Sequence, residues 1–353
     1  MNTEDRCIGS LLGLAVGDAL GYPHEFRTVA QVRREIDPDG ITGFLRLMDP
    51  RFTRPFIVGT DHPPGTFTDD TQMSICVAEA LVAHGAAVAR DPADDVAYDR
   101  LLSDMARRFV AWFDSKGPSL FAGDEVERAS HHNNRSPGET TGVACRRLQQ
   151  GTPWRSSGVV ESKGCGANMR VAPIGVFFRD LDLVGRVARD CALITHGHDA
   201  GLEGAAAAAL LVTMARQGLG FAAMHAEVLT RCAGKSADFE LVWRRIPHVL
   251  HKDAGDVLVE LTPQRPSALG EGWVAEEAVA SAMWCAWRHE NDFSAGVLAA
   301  VNTDGDSDSI ATIAGSILGA RLGLDGIPRH WVRDVEDSVL LLDLGTRLVK
   351  ARG

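Results

Sequence analysis

Gly65-Thr66-Phe67-Thr68-Asp69-Asp70-Thr71-Gln72-Met73, GTFTDDTQM, opens the apolar run 71–84 with two adjacent carboxylates set between hydroxyls. One such side chain would cap a helix, because Asp or Thr accepts a hydrogen bond from the unpaired N–H groups of a first turn. Two neighbouring carboxylates repel by about 1 kcal/mol at roughly 4 Å in water, and by more near a surface. The positive end of the helix dipole offsets part of that. The second Asp therefore asks for a further positive partner.

A distant stretch has the same design. Val301-Asn302-Thr303-Asp304-Gly305-Asp306-Ser307-Asp308-Ser309, VNTDGDSDS, runs directly into the apolar Ile310–Leu318, IATIAGSIL. Asp306 and Asp308 are two residues apart, so an extended segment projects them to one side, and Ser309 falls where the chain enters the helix. If the two helix starts face each other, Asp69, Asp70, Asp306 and Asp308 converge, with Thr68 and Ser309 as neutral oxygen donors. Four carboxylates in one cavity cannot all stay ionised uncompensated. Two divalent cations would balance them, and a donor set with no Cys and no obligatory His favours magnesium or manganese over zinc.

Outward from these mouths, helical periodicity dominates. Ile8, Leu11, Leu12, Ala15 and Ala19 share one face, Leu101, Leu102, Met105, Phe109, Trp112 and Phe113 another, and Ala278, Met283, Trp284 and Trp287 a third. Further runs cover 181–194, 201–216, 220–233, 293–301, 309–322 and 333–350. Ala205–Leu211, AAAAALL, reads as a tightly packed central helix, and glycines within helical runs mark places where backbones can approach closely. The best strand signal, Ile41–Val58, suggests a small hairpin broken by Pro50 and Pro55. The expectation is an all-α fold, a single domain over 1–353, with long connections at 34–66, 114–138, 150–172 and 253–272 that are functional by their length.

The 353 residues are 45% hydrophobic, enough for one large core. No signal segment is visible, and Asp18 and His24 interrupt the first apolar run, so no membrane span is expected and the location reads as cytoplasmic. Cys7, Cys76, Cys145, Cys165, Cys191, Cys232 and Cys285 form no C-x-x-C pair, which argues against disulfides and thiolate metal sites. A net charge of −11 without a basic stripe disfavours a broad nucleic-acid-binding surface. An anionic ligand would have to be held locally, by cations, helix N-termini and glycine-rich backbone. The size suits a monomer.

With both acidic clusters in view, the chain resembles the ADP-ribosylglycohydrolase family. The matching segments run in family order: GSLLGLAVGDALGYPHEF (9–26), GTFTDDTQM, SPGETT (136–141), SKGCGANMRVAPIGVFF (162–178), THGHDAGLEGAAAAA (195–209), GWVAEEAVASAMWCA (272–286) and VNTDGDSDSIATIAGSILGARLG. The resemblance implies an orthogonally packed helical bundle with a binuclear magnesium or manganese cleft between helix N-termini. It places the metal ligands on Thr68, Asp69, Asp70, Asp306, Asp308 and Ser309, where Ser309 stands for the commoner Thr and keeps the hydroxyl. The reaction implied is hydrolysis of the N- or O-glycosidic bond between ADP-ribose and an acceptor, above all arginine on a modified protein.

That chemistry needs a base to activate water against an oxocarbenium-like centre, a role for Asp69 or Asp70, with the two left unseparated. Glu25 falls where the family has an acidic residue over the metals; an ordinary solvated loop carboxylate is its alternative. Ser162 and the backbone N–H groups of Gly164, Cys165 and Gly166 suit the diphosphate, although such a glycine segment can also be a plain turn. Gly138 at a helix start is a second phosphate candidate. Met169, His196 and Trp273 complete the expected substrate pocket, with core packing the alternative for Trp273. His198-Asp199 suits a rival reading, an HD-type phosphohydrolase, which leaves both acidic clusters unexplained. His131–Asn134, HHNN, reads as an exposed loop. A different functional class, an ADP-ribose-binding or toxin-immunity module with little turnover, has less need of the full ligand set; hydrolysis of small conjugates or modified nucleobases is a further alternative.

Overall fold

A computed structural model describes residues 3–45, 63–115 and 134–352. Among them helices dominate, as expected, and no β-ladder forms; two isolated bridges, Val159 to His196 and Gly164 to Val274, are the extended pairings. The helices that build the site are α1 (Thr3–Gly21), α2 (Asp69–Ala80), α3 (Asp95–Phe113), α4 (Glu139–Gln149), α5 (Leu181–Leu193), α6 (Asp199–Gln217), α7 (Ala275–Arg288), α8 (Ser307–Leu322) and α9 (Ser338–Ala351).

The closest packing joins the two ends of the chain. Gly9, Gly13, Gly17 and Gly21 recur every fourth residue, so they share one face of α1, and that face lies on α8. A Cβ built on Gly13 would stand 2.2 Å from the Gly315 carbonyl oxygen, and one on Gly17 2.1 Å from that of Ala311. From the other side, a Cβ on Gly319 would stand 2.0 Å from the Gly9 oxygen. No side chain fits between the helices. Ser10 Oγ seals the seam by donating to Ser316 O at 3.0 Å, and at its end a Cβ on Gly21 would stand 2.5 Å from Asp308 N. The seam thus delivers the C-terminus of α1 to the N-terminus of α8.

Helix α6 is the central helix that the alanine tract announced: Ala200, Gly201 and every residue from Glu203 to Arg216 are buried, and it packs on α5, α7 and α8. Gly218 ends it in the left-handed conformation (φ 84°), as glycine readily does. His198 caps its start, Nδ1 accepting from Ala200 N at 3.1 Å. The His-Asp pair of the rival phosphohydrolase reading is accordingly a helix cap.

Several expectations change. Helix α2 continues through a π turn at Leu81–Gly85 to Arg90. The resulting 22-residue run is long and apolar enough to cross a bilayer by length and composition, contrary to the sequence reading, although 61% of its apolar window is buried inside the protein. With Asp69 and Asp70 in its first turn it is a core helix. The run 333–350 splits into Arg329–Asp334 and α9, because Val335 is extended and Asp337 takes a φ of 49°. The hairpin expected over Ile41–Val58 falls largely on residues outside the described ones, as do His131 to Asn133. In its described part, Ile41 pairs with the Asn302 side chain: Ile41 N donates to Oδ1 at 2.8 Å and Nδ2 to Ile41 O at 3.0 Å.

Candidate metal centre and ligand cleft

Three helix ends meet at one place: the C-terminus of α1 and the N-termini of α2 and α8. Asp18, fully buried near the end of α1, reaches across to α2. It accepts from Thr68 N at 3.0 Å, Thr71 N at 3.0 Å, Thr68 Oγ1 at 2.8 Å and Thr71 Oγ1 at 2.6 Å. Asp18 therefore supplies the cap that the first turn of α2 lacks from its own residues. That leaves Asp69 and Asp70 free of the capping task.

On α8, Asp306 is the N-cap, Oδ1 accepting from Ser309 N at 3.2 Å, while Asp308 Oδ1 accepts from the same N–H at 3.1 Å. The segment before α8 also fixes the loop after α1. His24 Nε2 lies 3.0 Å from Val301 O, and Val29 N donates to Asp304 Oδ1 at 2.8 Å. Between those anchors Glu25 joins Asp306 and Asp308, and the ligand atoms of the three lie within 4.8 Å of one another. Sequence reasoning set Glu25 over the metals; the structure makes it a member of the acidic group itself.

The electrostatic cost of this arrangement is written in the acidities. Burial, reinforced by Asp308, lifts Asp18 to about 7 in spite of its hydrogen bonds. Asp69, Asp70 and Asp306 are held well above the ordinary carboxylate range, again by burial first and Asp308 second. Asp70 Oδ1 is buried and has no hydrogen-bond partner. A buried, unpaired carboxylate oxygen costs free energy, and in a nest of carboxylates the partner it fits is a cation. The all-oxygen donor set suits a hard divalent ion.

These acids form one wall of a cleft of about 490 Å³. Of the residues expected in the site, Glu25, Asp69, Asp70, Gly138, Gly164, Cys165, Gly166, Met169, His196, Trp273, Asp306, Asp308 and Ser309 all line it. Thr68 and Ser162 do not. The Thr68 hydroxyl donates its proton to Asp18 at 2.8 Å, which leaves its oxygen lone pairs for a cation, and Ser162 Oγ pairs with Thr140 Oγ1 at 2.9 Å. The Cys165 amide, expected to donate to a diphosphate, donates to Trp273 O at 3.2 Å instead. That bond, Ala275 N to Lys163 O at 2.8 Å and the Gly164–Val274 bridge tie the glycine segment to the start of α7. Cys165 meets the cleft through its thiol, which lies 2.7 Å from Asp306 Oδ2 and is kept protonated by burial and that carboxylate.

Sequence reasoning missed Asp18, Phe26 and Ser136. Asp18 looked like an interruption in an apolar run, whereas a lone carboxylate on a helix of glycines and aliphatics was the signal. Phe26 takes a φ of 68° and stacks on Trp273 at the cleft mouth, ring centroids 5.0 Å apart and planes 13° from parallel. Ser136 also lines the cleft with a positive φ of 46°, and its Oγ is buried without a partner. Left-handed backbone at a non-glycine residue leaves no trace in a single sequence.

The family model described as ADP-ribosylglycohydrolase matches residues 1–353. This chain belongs to the ADP-ribosylglycohydrolase family. An uncharacterized protein of Archaeoglobus fulgidus is 31% identical over 346 residues, 98% of this chain and 96% of that one. Human ADP-ribosylhydrolase ARH3 is 28% identical, covering 94% of this chain and 89% of its own. The ADP-ribosylarginine hydrolase Tri1 of Pseudomonas putida is 26% identical over 94% of this chain and 74% of its own. Among solved structures, an ADP-ribosylglycohydrolase-related protein complex superposes with a TM-score of 0.66 at 26% identity, covering 99% of both chains. The family's chemistry is hydrolysis of the glycosidic bond of ADP-ribose conjugates, and this chain is an enzyme of that class.

Proposed function

We propose that this glycohydrolase uses divalent cations, magnesium or manganese, to release ADP-ribose from arginine on modified proteins. The observation that carries the reading is the convergence of Glu25, Asp306 and Asp308 with Asp69 and Asp70 on one wall of a ligand-sized cleft. Asp70, Asp306, Asp308 and Glu25 would hold the ions, with Ser309 as a neutral donor. Bound there, the ions would supply positive charge that offsets the carboxylates and polarises ribose hydroxyls.

The protein's own groups then divide the work. Asp69 is the more exposed of the adjacent pair, 8% against 3% for Asp70, and its charged neighbours include Glu25, whereas those of Asp70 include Asp306. Asp69 is therefore the base: it takes a proton from the water that attacks the anomeric carbon as the bond to the acceptor nitrogen breaks. Gly138, Gly164, Gly166, Met169 and His196 form the ADP-ribose wall. The acceptor sits against the stacked rings of Phe26 and Trp273, in a cleft that Glu25 and Glu139 also line, a setting that suits a cationic guanidinium. The single-domain, monomeric organisation and a cytoplasmic location belong to the same reading.

The test is release of ADP-ribose from arginine-linked and serine-linked modified protein, with magnesium, with manganese and after chelation. Metal-dependent release favouring the arginine link is expected. Release that survives chelation, or that survives Asp306→Ala, removes the mechanism; exclusive cleavage of the serine link removes the acceptor assignment.

A further inference from the structure

Beneath His196 runs a chain of polar groups that the reaction scheme leaves unused. Arg170 is completely buried, and among the described residues no carboxylate lies within ion-pair distance of it. Its guanidinium sits over the Phe109 ring at 4.4 Å, and Nη2 donates to Cys191 O at 3.0 Å and to Thr195 Oγ1 at 2.6 Å. Thr195 Oγ1 in turn lies 2.7 Å from His196 Nδ1. Thr195 is fully buried and His196 is 3% exposed, so no solvent competes for these bonds.

Donor arithmetic fixes the rest. A guanidinium has no acceptor, so the Thr195 oxygen accepts from Arg170 and its single proton must go elsewhere. Two acceptors are in reach, His196 Nδ1 at 2.7 Å and Ala192 O at 3.4 Å. The Ala192 oxygen already accepts from Thr195 N at 3.0 Å and His196 N at 2.8 Å. The short contact to an uncommitted ring nitrogen is the better bond, which makes Nδ1 an acceptor and leaves the ring proton on Nε2. That edge of the ring faces the glycine segment: a Cβ on Gly164 would stand 3.3 Å from Nε2, and one on Gly166 3.1 Å from Cε1. A second proton on the ring would put two cations side by side away from water, and burial together with Arg170 accordingly lowers His196 to about 3.

We infer that Thr195, oriented by Arg170, is a positioning residue that locks His196 as a neutral ring presenting Nε2–H to an acceptor oxygen of the ligand in the cleft. The inference rests on the ADP-ribose reading of that cleft only for the ligand's identity; the tautomer is a property of the protein alone. It gives the buried Arg170 a purpose that packing does not, since an apolar side chain would fill the same space without the desolvation cost. The uncompensated charge also lies beneath a cleft meant for an anion.

The experiment is nitrogen-15 NMR on histidine-labelled full-length protein, with the His196 signals assigned by their loss in His196→Gln, alongside titration with free ADP-ribose. The wild type is expected to show a protonated Nε2 and an unprotonated Nδ1. Thr195→Val, nearly the same shape without the hydroxyl, should release the tautomer and weaken ADP-ribose binding about tenfold, as befits one lost hydrogen bond. Thr195→Ser should restore both. A wild-type ring protonated on Nδ1, or a folded Thr195→Val protein that keeps both the Nε2–H signal and its affinity, overturns the inference. Wild-type protein that shows the expected tautomer but does not bind ADP-ribose would instead refute the functional reading and leave the positioning chain standing.

Discussion

The decisive residues are carboxylates, four buried and Glu25 half-buried, that share one wall of the cleft. Asp69-Asp70 and Asp306-x-Asp308 were readable because like charges set close together demand an explanation. Asp18 was not, because one acid in an apolar helix is ordinary until its partners across the fold are known. The division of labour between the adjacent aspartates predicts distinct variants. Asp69→Asn should retain manganese binding by calorimetry yet lose hydrolysis by about 100-fold or more, the scale of a missing general base. Asp70→Asn should lose metal affinity as well. If the two variants behave alike, the assignment of the base to Asp69 is wrong. The Cys165 thiol, held protonated beside Asp306, should react with iodoacetamide far more slowly than a free thiol at pH 8, since the thiolate is the nucleophile; mass spectrometry of the labelled peptide reads it directly.

Among the elements, α1, α2 and α8 act as one body because hydrogen bonds and close backbone contact replace side-chain packing between them. Asp18 ties α1 to α2 by satisfying four donors. Asp18→Ala orphans them in a dry interior, and a loss of about 3 kcal/mol is expected from urea denaturation. Asp18→Asn should recover little, because its amide group would confront another donor. Gly315→Ala attacks the other joint: its Cβ would stand 2.1 Å from the Gly13 oxygen, so the helices must separate. The expected result is a stability loss of about 2 kcal/mol together with weaker metal binding, as Asp308 shifts relative to Asp70. Helix positions were legible from period, and glycines within helical runs marked places of close approach, but the shared face of Gly9, Gly13, Gly17 and Gly21 emerged only with the fold. What lay against that face was not legible, since nothing local names a partner three hundred residues away. The tie between the glycine segment and Trp273 was hidden for the same reason: it runs through backbone atoms, which carry no residue identity.

For the whole molecule, the acidic cluster makes stability depend on pH and metal together. Asp18, Asp69, Asp70 and Asp306 all have pKa values raised on folding, so above about pH 4 these groups hold more protons in the metal-free folded state than in the unfolded chain. The cluster's contribution to the stability of the metal-free protein then falls as pH rises from about 4 through 7, while His196, lowered on folding to about 3, works in the opposite direction up to the ordinary histidine range. Divalent cations reverse the slope, because their ligands have to be deprotonated to bind. Scanning calorimetry should find the chelated protein melting several degrees lower at pH 8 than at pH 5. Magnesium at about 100 times its dissociation constant should add roughly 2.7 kcal/mol at pH 8 and far less at pH 5. A chelated protein whose melting point climbs with pH would show that the carboxylates do not share one cavity.

The glycine seam joins partners 306 residues apart, the spacing of Ser10 and Ser316. At about 5–20 residues per second of synthesis, α1 emerges from the ribosome roughly 15 to 60 s before the helix that must cover it. For that interval its glycine face has no partner helix to cover it. The acidic wall is incomplete until α8 has been made, so a message cut short ahead of α8 makes no partly working enzyme.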